Sequence, residues 1–156
     1  MHAFSRAHLL LFVLPVASAA AQSRSPTAIR PDTVPWVAVS HTPGAYVRWL
    51  VRQGEQSGVY AFQTKFERGT RAAPHTHPDT RYTVVLSGTW YVGFGETFDE
   101  SKLVTIPAGA LYVAPQGVPH FMWAKDGEVV IQESGAHPTA TNFMVQPSRP
   151  ATSRPR

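Results

Sequence analysis

The stretch Gly69-Thr-Arg-Ala-Ala-Pro-His75-Thr-His77 carries the strongest local pattern in this sequence. His75 and His77 are two positions apart, so on an extended chain both imidazoles project from the same face. That arrangement allows both side chains to bind one metal ion, because neutral imidazole is the commonest metal ligand in proteins. The pattern alone also fits two surface histidines, so both interpretations stay open at this point.

A third histidine follows a second turn-rich stretch. His120 begins an apolar run directly after Pro115-Gln116-Gly117-Val118-Pro119. Sharp turns of this composition can direct the side chain of His120 back across a barrel.

The chain around these histidines is predicted to be all-β. Between residues 36 and 146, short runs rich in β-branched and aromatic residues alternate with Gly and Pro turn signals. The predicted strands cover residues 36–40, 46–52, 59–67, 82–87, 89–94, 103–106, 111–114, 120–124, 128–133 and 142–145. Only residues 97–102 fit a helical turn. Many short strands at near-regular spacing predict an antiparallel sandwich or barrel.

Length and composition narrow the possible classes. The 156 residues predict a single domain, and a hydrophobic content of 43% argues against general disorder. The absence of Cys excludes a disulfide scaffold, a thiolate metal site, a Cys nucleophile and an iron–sulfur cluster.

Both ends of the chain are predicted to lie outside the barrel. Residues 1–21 have the pattern of a secretory signal peptide, with an apolar run too short to span a bilayer and Ala-rich cleavage sites. An uncleaved anchor or a buried N-terminal helix is the alternative. Residues 22–35 are a predicted Pro-rich arm or linker, and residues 147–156 a disordered basic tail. We expect a periplasmic or secreted protein with no membrane association after signal cleavage.

The net charge does not indicate a nucleic-acid partner. The whole chain carries a formal charge of +4, but six arginines and only one aspartate lie outside residues 36–146. The predicted barrel is therefore close to neutral and offers no basic face to a polyanion.

Two stretches resemble the two motifs of the cupin superfamily. The first motif places Gly69, His75, His77 and Gly88 at the family's spacing, but Arg81 stands where the family has Glu.

The second motif places Gly109, Pro115, Gly117 and His120 at the family's spacing, with Ala124 in place of Asn. Two motifs in the correct order make a more specific signal than either one alone. The resemblance implies a single cupin double-stranded β-helix (jelly-roll) barrel over residues 36–146, with a metal ion inside its mouth.

The resemblance implies His75, His77 and His120 as metal ligands and leaves the fourth ligand open. Arg81 cannot replace a carboxylate ligand, because its guanidinium stays protonated and has no lone pair to donate. Three alternatives remain: a three-His site with open positions, a fourth ligand from Asp79, and a degenerate site without metal. The metal would be a divalent transition metal such as Fe, Zn, Mn, Ni or Cu.

Arg81 and Tyr91 are the candidate catalytic residues. A guanidinium near the barrel mouth favours an anionic substrate such as a carboxylate, although a rim salt bridge to Asp79 or another acid explains Arg81 equally well. Tyr91 is a candidate polar residue of the pocket.

Three functions fit these residues. The favoured one is an exported, metal-dependent enzyme of dioxygenase, isomerase or lyase type, acting on a small, anionic organic molecule at the three-His site. The second is a non-catalytic cupin that binds or senses a carboxylate or a sugar. The third is a structural barrel that acts through a dimer interface. We expect a homodimer in each case, with no nucleic-acid partner.

Overall fold

The structure is a computed structural model that describes residues 28–52 and 58–144. The predicted signal peptide and the predicted basic tail lie outside the described residues, as do residues 22–27 of the predicted arm.

Short strands dominate the described part of the chain, as the sequence predicts. The strands are β1 (Val37–Ala38), β2 (Ala45–Arg52), β3 (Val59–Phe66), β4 (Arg71–Thr76), β5 (Arg81–Ser87), β6 (Thr89–Phe94), β7 (Val104–Pro107), β8 (Leu111–Ala114), β9 (His120–Trp123), β10 (Val129–Ala136) and β11 (Asn142–Phe143). Two 3-10 helices, Pro31–Thr33 and Glu100–Lys102, complete the described elements. Neither is long and apolar enough to cross a membrane.

The strands form two antiparallel sheets. One sheet has six strands in the order β1-β2-β3-β10-β5-β8, and the other has five in the order β11-β4-β9-β6-β7. Strands adjacent in sequence often lie in different sheets, so the chain crosses repeatedly between the two layers. This arrangement confirms the predicted all-β class.

The core lies between the inner faces of the two sheets. In β10, Val129 and Ile131 are buried, whereas Val130 and Gln132 alternate with them on the outer face. This two-residue period is typical of a strand with one face on the core. Glu133 is the next inward-facing residue of β10. A carboxylate therefore lies on the inner face, where the alternation otherwise places apolar side chains.

The turn between β5 and β6 requires glycine. Gly88 has a φ of +78°, and a Cβ there would clash with the backbone oxygen of Glu128 and lie 3.2 Å from the Cα of Val129. Side chains are rarely compatible with this left-handed conformation, so Gly88 fixes the tight return of the chain into the second sheet.

The sequence prediction misses one strand that matters for the site. Residues 71–76 carry Ala, Pro and Arg, so composition hides β4, which pairs with β9 and holds the first histidine. The predicted helical turn at 97–102 contains the short 3-10 helix Glu100–Lys102. The described end of the predicted arm lies on β2, where Arg48 donates a 2.7 Å hydrogen bond to the backbone oxygen of Pro31.

Candidate metal centre

Two paired strands and one turn bring the three motif histidines together. His75 in β4 and His120 in β9 are directly opposite each other in the register of the five-stranded sheet. His77 follows the end of β4 with its ring 4.9 Å from each of the other two, measured between ring centroids. The potential ligand atoms of all three side chains lie within 4.8 Å of one another.

Each imidazole is oriented by a hydrogen bond between its Nδ1 atom and a backbone carbonyl. His75 donates to the carbonyl of Ala73 at 2.6 Å. His77 donates to that of Ala140 at 2.8 Å, and His120 donates to that of Val118 at 2.9 Å. Because a carbonyl oxygen only accepts, Nδ1 carries the proton and Nε2 keeps its lone pair.

The Nε2 atoms are suited to a metal ion. Those of His77 and His120 are buried and have no hydrogen-bond partner within the described residues. A buried polar atom without a partner is costly, and a metal ion would satisfy it. The three residues therefore fit a divalent transition metal bound by neutral imidazoles.

The surroundings of the three rings favour their neutral form. Burial is the main cause that lowers the pKa of His75 to about 4, and it also lowers the pKa values of His77 and His120. The Arg81 guanidinium lowers all three further. Neutral imidazoles are the form that binds metal, so these rings need not lose a proton at neutral pH.

A cavity of about 580 Å³ opens beside His75 and His77. This volume is within the range of small-molecule sites. Its apolar walls include Val47, Trp49, Phe62, Phe66, Met122 and Phe143. Arg81 and Glu133 also line it, so the cavity combines an apolar body with a few charged groups.

The segment after β10 completes the site. The carbonyl of Ala140 accepts hydrogen bonds from both His77 and Arg81, and the ring of Phe143 lies 5.4 Å from that of His75. This segment lies far from both motifs in sequence, and no local pattern connects it to them.

Arg81 is buried inside the barrel, with only 5% of its surface exposed. Its Nη2 donates 2.9 Å hydrogen bonds to the Thr139 hydroxyl and the Ala140 carbonyl. Its Nη1 lies 3.5 Å from Oε1 of Glu133, and its Nε lies 3.9 Å from Oδ1 of Asp79. The guanidinium therefore makes the acid contacts that the sequence offered as an alternative to substrate binding, but within the barrel rather than on its rim.

Glu133 is a site residue that the sequence analysis did not identify. The residue is 6% exposed and lines the cavity, and burial raises the pKa of its carboxyl group. The two-residue period of the strand could have identified it, because residues 129, 131 and 133 share one face of a predicted strand. A charged residue is assigned to solvent by default, which hides such a position.

The structure does not bring Asp79 or Tyr91 into the histidine cluster. The Asp79 carboxylate accepts a hydrogen bond from the Tyr60 hydroxyl and lies outside the set of converging ligand atoms. Tyr91 lies between the inward-facing Trp90 and Val92, and its hydroxyl donates instead to Asp126. Tyr91 is not among the residues that line the cavity.

Comparison with known proteins places this site in a family. The model of the ChrR cupin-like domain matches residues 24–137. A germin-like protein of Arabidopsis thaliana, subfamily T member 2, is 34% identical over 67 residues, which is 42% of this chain and 30% of the relative. Germin-like protein 5-1 of Oryza sativa subsp. japonica is 40% identical over 65 residues, or 41% of this chain and 29% of the relative. The chain thus spans about 30% of the length of these curated relatives.

Solved structures share the fold at low sequence identity. The polyketide cyclase RemF from Streptomyces resistomycificus superposes with a TM-score of 0.67 at 14% identity, over 81% of this chain and 90% of that one. KdgF from Halomonas sp. superposes with a TM-score of 0.58 at 21% identity, over 70% of this chain and 94% of KdgF. An oxalate oxidase superposes with a TM-score of 0.51 at 23% identity, over 68% of this chain and 58% of the oxidase.

These matches confirm the jelly-roll barrel and the resemblance noted in the two histidine motifs. The chain belongs to the ChrR cupin-like domain family within the cupin superfamily.

Proposed function

We propose that this chain is a metal-dependent cupin enzyme that acts on a small organic molecule at the three-His site. The observation that carries the proposal is the set of three buried imidazoles whose Nδ1 atoms are held by backbone carbonyls. The potential ligand atoms of the three side chains lie within 4.8 Å of one another, and His75 and His77 line a cavity of small-molecule size.

His75, His77 and His120 would hold the metal. A divalent transition metal (Fe, Zn, Mn, Ni or Cu) with three protein ligands supplies a Lewis acid with open positions, and Fe would add redox chemistry of the dioxygenase type. The buried ligands and their carbonyl partners keep the imidazoles oriented without reorganisation when the metal binds.

The rest of the cavity selects and orients the molecule. Apolar side chains such as Phe62 and Met122 exclude water around its body, which strengthens polar interactions at the reacting end. Arg81 supports an anionic group at that end through its positive charge, although its hydrogen bonds already go to Thr139 and Ala140. An oxygen anion on the substrate fits both the guanidinium and a divalent cation.

The comparisons support an enzyme only at the level of the fold. RemF is a polyketide cyclase, and another neighbour is an oxalate oxidase. Both act on small organic molecules, and dioxygenase, isomerase and lyase chemistry remain the reaction classes that we propose for this chain.

A metal-reconstitution screen tests the enzyme. The metal-free protein is loaded separately with Fe²⁺, Mn²⁺ and Zn²⁺ and incubated with a panel of small carboxylic and hydroxy acids. Dioxygen consumption and product NMR are followed. We expect turnover that requires metal and disappears in a His75→Ala, His120→Ala variant. A protein that turns over only with Zn²⁺ would exclude the dioxygenase branch.

A non-catalytic binding or sensing cupin is the second candidate. Arg81 and Ala124 stand at motif positions where the superfamily has Glu and Asn, which favours a site that binds without catalysis. Tight carboxylate or sugar binding to the metal-free protein, with no turnover under any metal, would select this candidate over the enzyme.

We also propose a homodimer formed through the outer face of β5 and β8. Tyr82, Leu86, Leu111 and Val113 are each at least 40% exposed there, and this patch carries no charge. A second copy with the same patch is a complementary partner. Light scattering should give a dimer for the wild type and a monomer for Leu111→Glu, and a monomeric wild type would contradict the proposal.

Export remains a proposal as well. It rests on the pattern of residues 1–21, and N-terminal sequencing of protein secreted by a bacterial host should begin at Gln22.

A further inference from the structure

Glu133 is a buried carboxylate that the three-His cluster does not use. It lines the same cavity as His75 and His77, yet its oxygens are not among the converging ligand atoms. A buried carboxylate is costly, so a position facing a binding cavity calls for a chemical role.

The groups around Glu133 come from four parts of the fold. Arg81 in β5 is the cation, with Nη1 at 3.5 Å, and Asp79 contributes a second carboxylate. The Thr64 hydroxyl in β3 favours the ionised form of Glu133 and so opposes the rise of its pKa. Burial and, to a lesser extent, the Glu133 charge raise the pKa of Tyr112 in β8.

The charges of this network do not balance on their own. Two carboxylates, those of Asp79 and Glu133, face the single guanidinium of Arg81. A dication at the three-His site would favour the ionised form of Glu133. An anionic ligand on that dication would weaken its field, and burial and the Asp79 charge would then favour a proton on Glu133.

Resting on the proposed metal site, we propose that Glu133 accepts and returns the proton that a ligand loses when it binds there. The ligand O–H bond would break with its electron pair staying on the ligand oxygen, and the proton would form a new O–H bond on the Glu133 carboxylate. The reverse transfer returns the proton to the product, so no oxidant or other reactant is needed. Glu133 is thus the acid–base residue that the two sequence motifs do not supply.

Acetohydroxamic acid is a suitable probe, because it loses one proton when it binds zinc. Calorimetric titration of the Zn²⁺-loaded protein in buffers of different ionisation enthalpy counts the protons released to solvent. We expect release close to zero for the wild type and about one proton per ligand for Glu133→Gln near neutral pH. Gln preserves the size of the side chain and can still accept a hydrogen bond from Arg81.

Glu128→Gln is the matched control, because Glu128 is an exposed carboxylate immediately before β10. This variant should release the same number of protons as the wild type. Equal proton release by the wild type and Glu133→Gln would overturn the proposal, as would failure of the zinc-loaded wild type to bind the hydroxamate. Absence of zinc from the wild type would overturn the proposed metal site as well, and zinc analysis of both proteins separates these outcomes.

Infrared difference spectroscopy gives a test that needs no variant. Hydroxamate binding to the zinc-loaded wild type should produce the carbonyl band of one protonated carboxyl group. Absence of that band would contradict the role of Glu133 even if Glu133→Gln does not fold.

Discussion

The Arg81 guanidinium and the Glu133 carboxylate face each other inside the barrel, with Nη1 3.5 Å from Oε1 and both side chains less than 10% exposed. Arg81 occupies the motif position at which cupins have a glutamate, and the carboxylate beside it comes from β10 instead. The cavity therefore contains an acidic group together with the candidate metal ligands His75 and His77, but that group comes from a different strand.

Removal of the Arg81 charge should leave Glu133 buried next to Asp79 without a cation. We expect Arg81→Gln to lower the free energy of unfolding of the metal-free protein by about 3 kcal/mol, because an unpaired buried charge is costly. Addition of Glu133→Gln should recover part of that loss. Urea unfolding of the four proteins measures the coupling, and strictly additive effects would contradict a direct interaction.

The Tyr60 hydroxyl should contribute to stability through its buried hydrogen bond to Asp79. Tyr60→Phe removes that donor, and we expect a loss of about 2 kcal/mol in the free energy of unfolding. Tyr46→Phe is the matched control, because the Tyr46 hydroxyl makes an exposed bond to Glu67 and its loss should not change stability measurably. Similar effects for the two variants would refute the special role of the buried bond.

The three histidine motif positions could be predicted from sequence, because strand periodicity and motif spacing both act locally. A two-residue period places His75 and His77 on one side, and turn residues before His120 redirect the chain. The same reasoning failed to identify Glu133, because a charged residue is assigned to solvent by default although residues 129, 131 and 133 share one face of β10.

Other parts of the site depend on contacts between distant residues. The Ala140 carbonyl that orients His77 lies 63 residues away in sequence, and Phe143 reaches His75 through the two-residue strand β11. Such partners leave no local pattern. The sequence also placed Tyr91 in the pocket, whereas the structure keeps it out of the cavity lining, because the aromatic run of β6 does not reveal which of its two faces is buried.

Acid should destabilise the metal-free protein through its histidines. In the unfolded chain an imidazole binds a proton below about pH 6.5, whereas burial holds the pKa of His75 at about 4 and lowers that of His77 as well. The unfolded state therefore binds more protons, and the free energy of unfolding should fall as the pH drops from about 6.5 to about 4. The raised pKa of Glu133 acts in the opposite direction but involves a single group.

Urea unfolding at a series of pH values measures this slope. His77→Gln should reduce it by about one proton, because Gln does not titrate. An unchanged slope in His77→Gln would show that this imidazole is not kept neutral by the fold.

Elemental analysis of the protein purified without added metal tests the central claim most directly. The wild type is compared with the His75→Ala, His120→Ala variant after both are shown to be folded by circular dichroism. We expect about one transition-metal ion per wild-type chain and none in the variant, because the two changes remove two of three ligands. Metal absent from both proteins, or present equally in both, would contradict a metal centre at His75, His77 and His120.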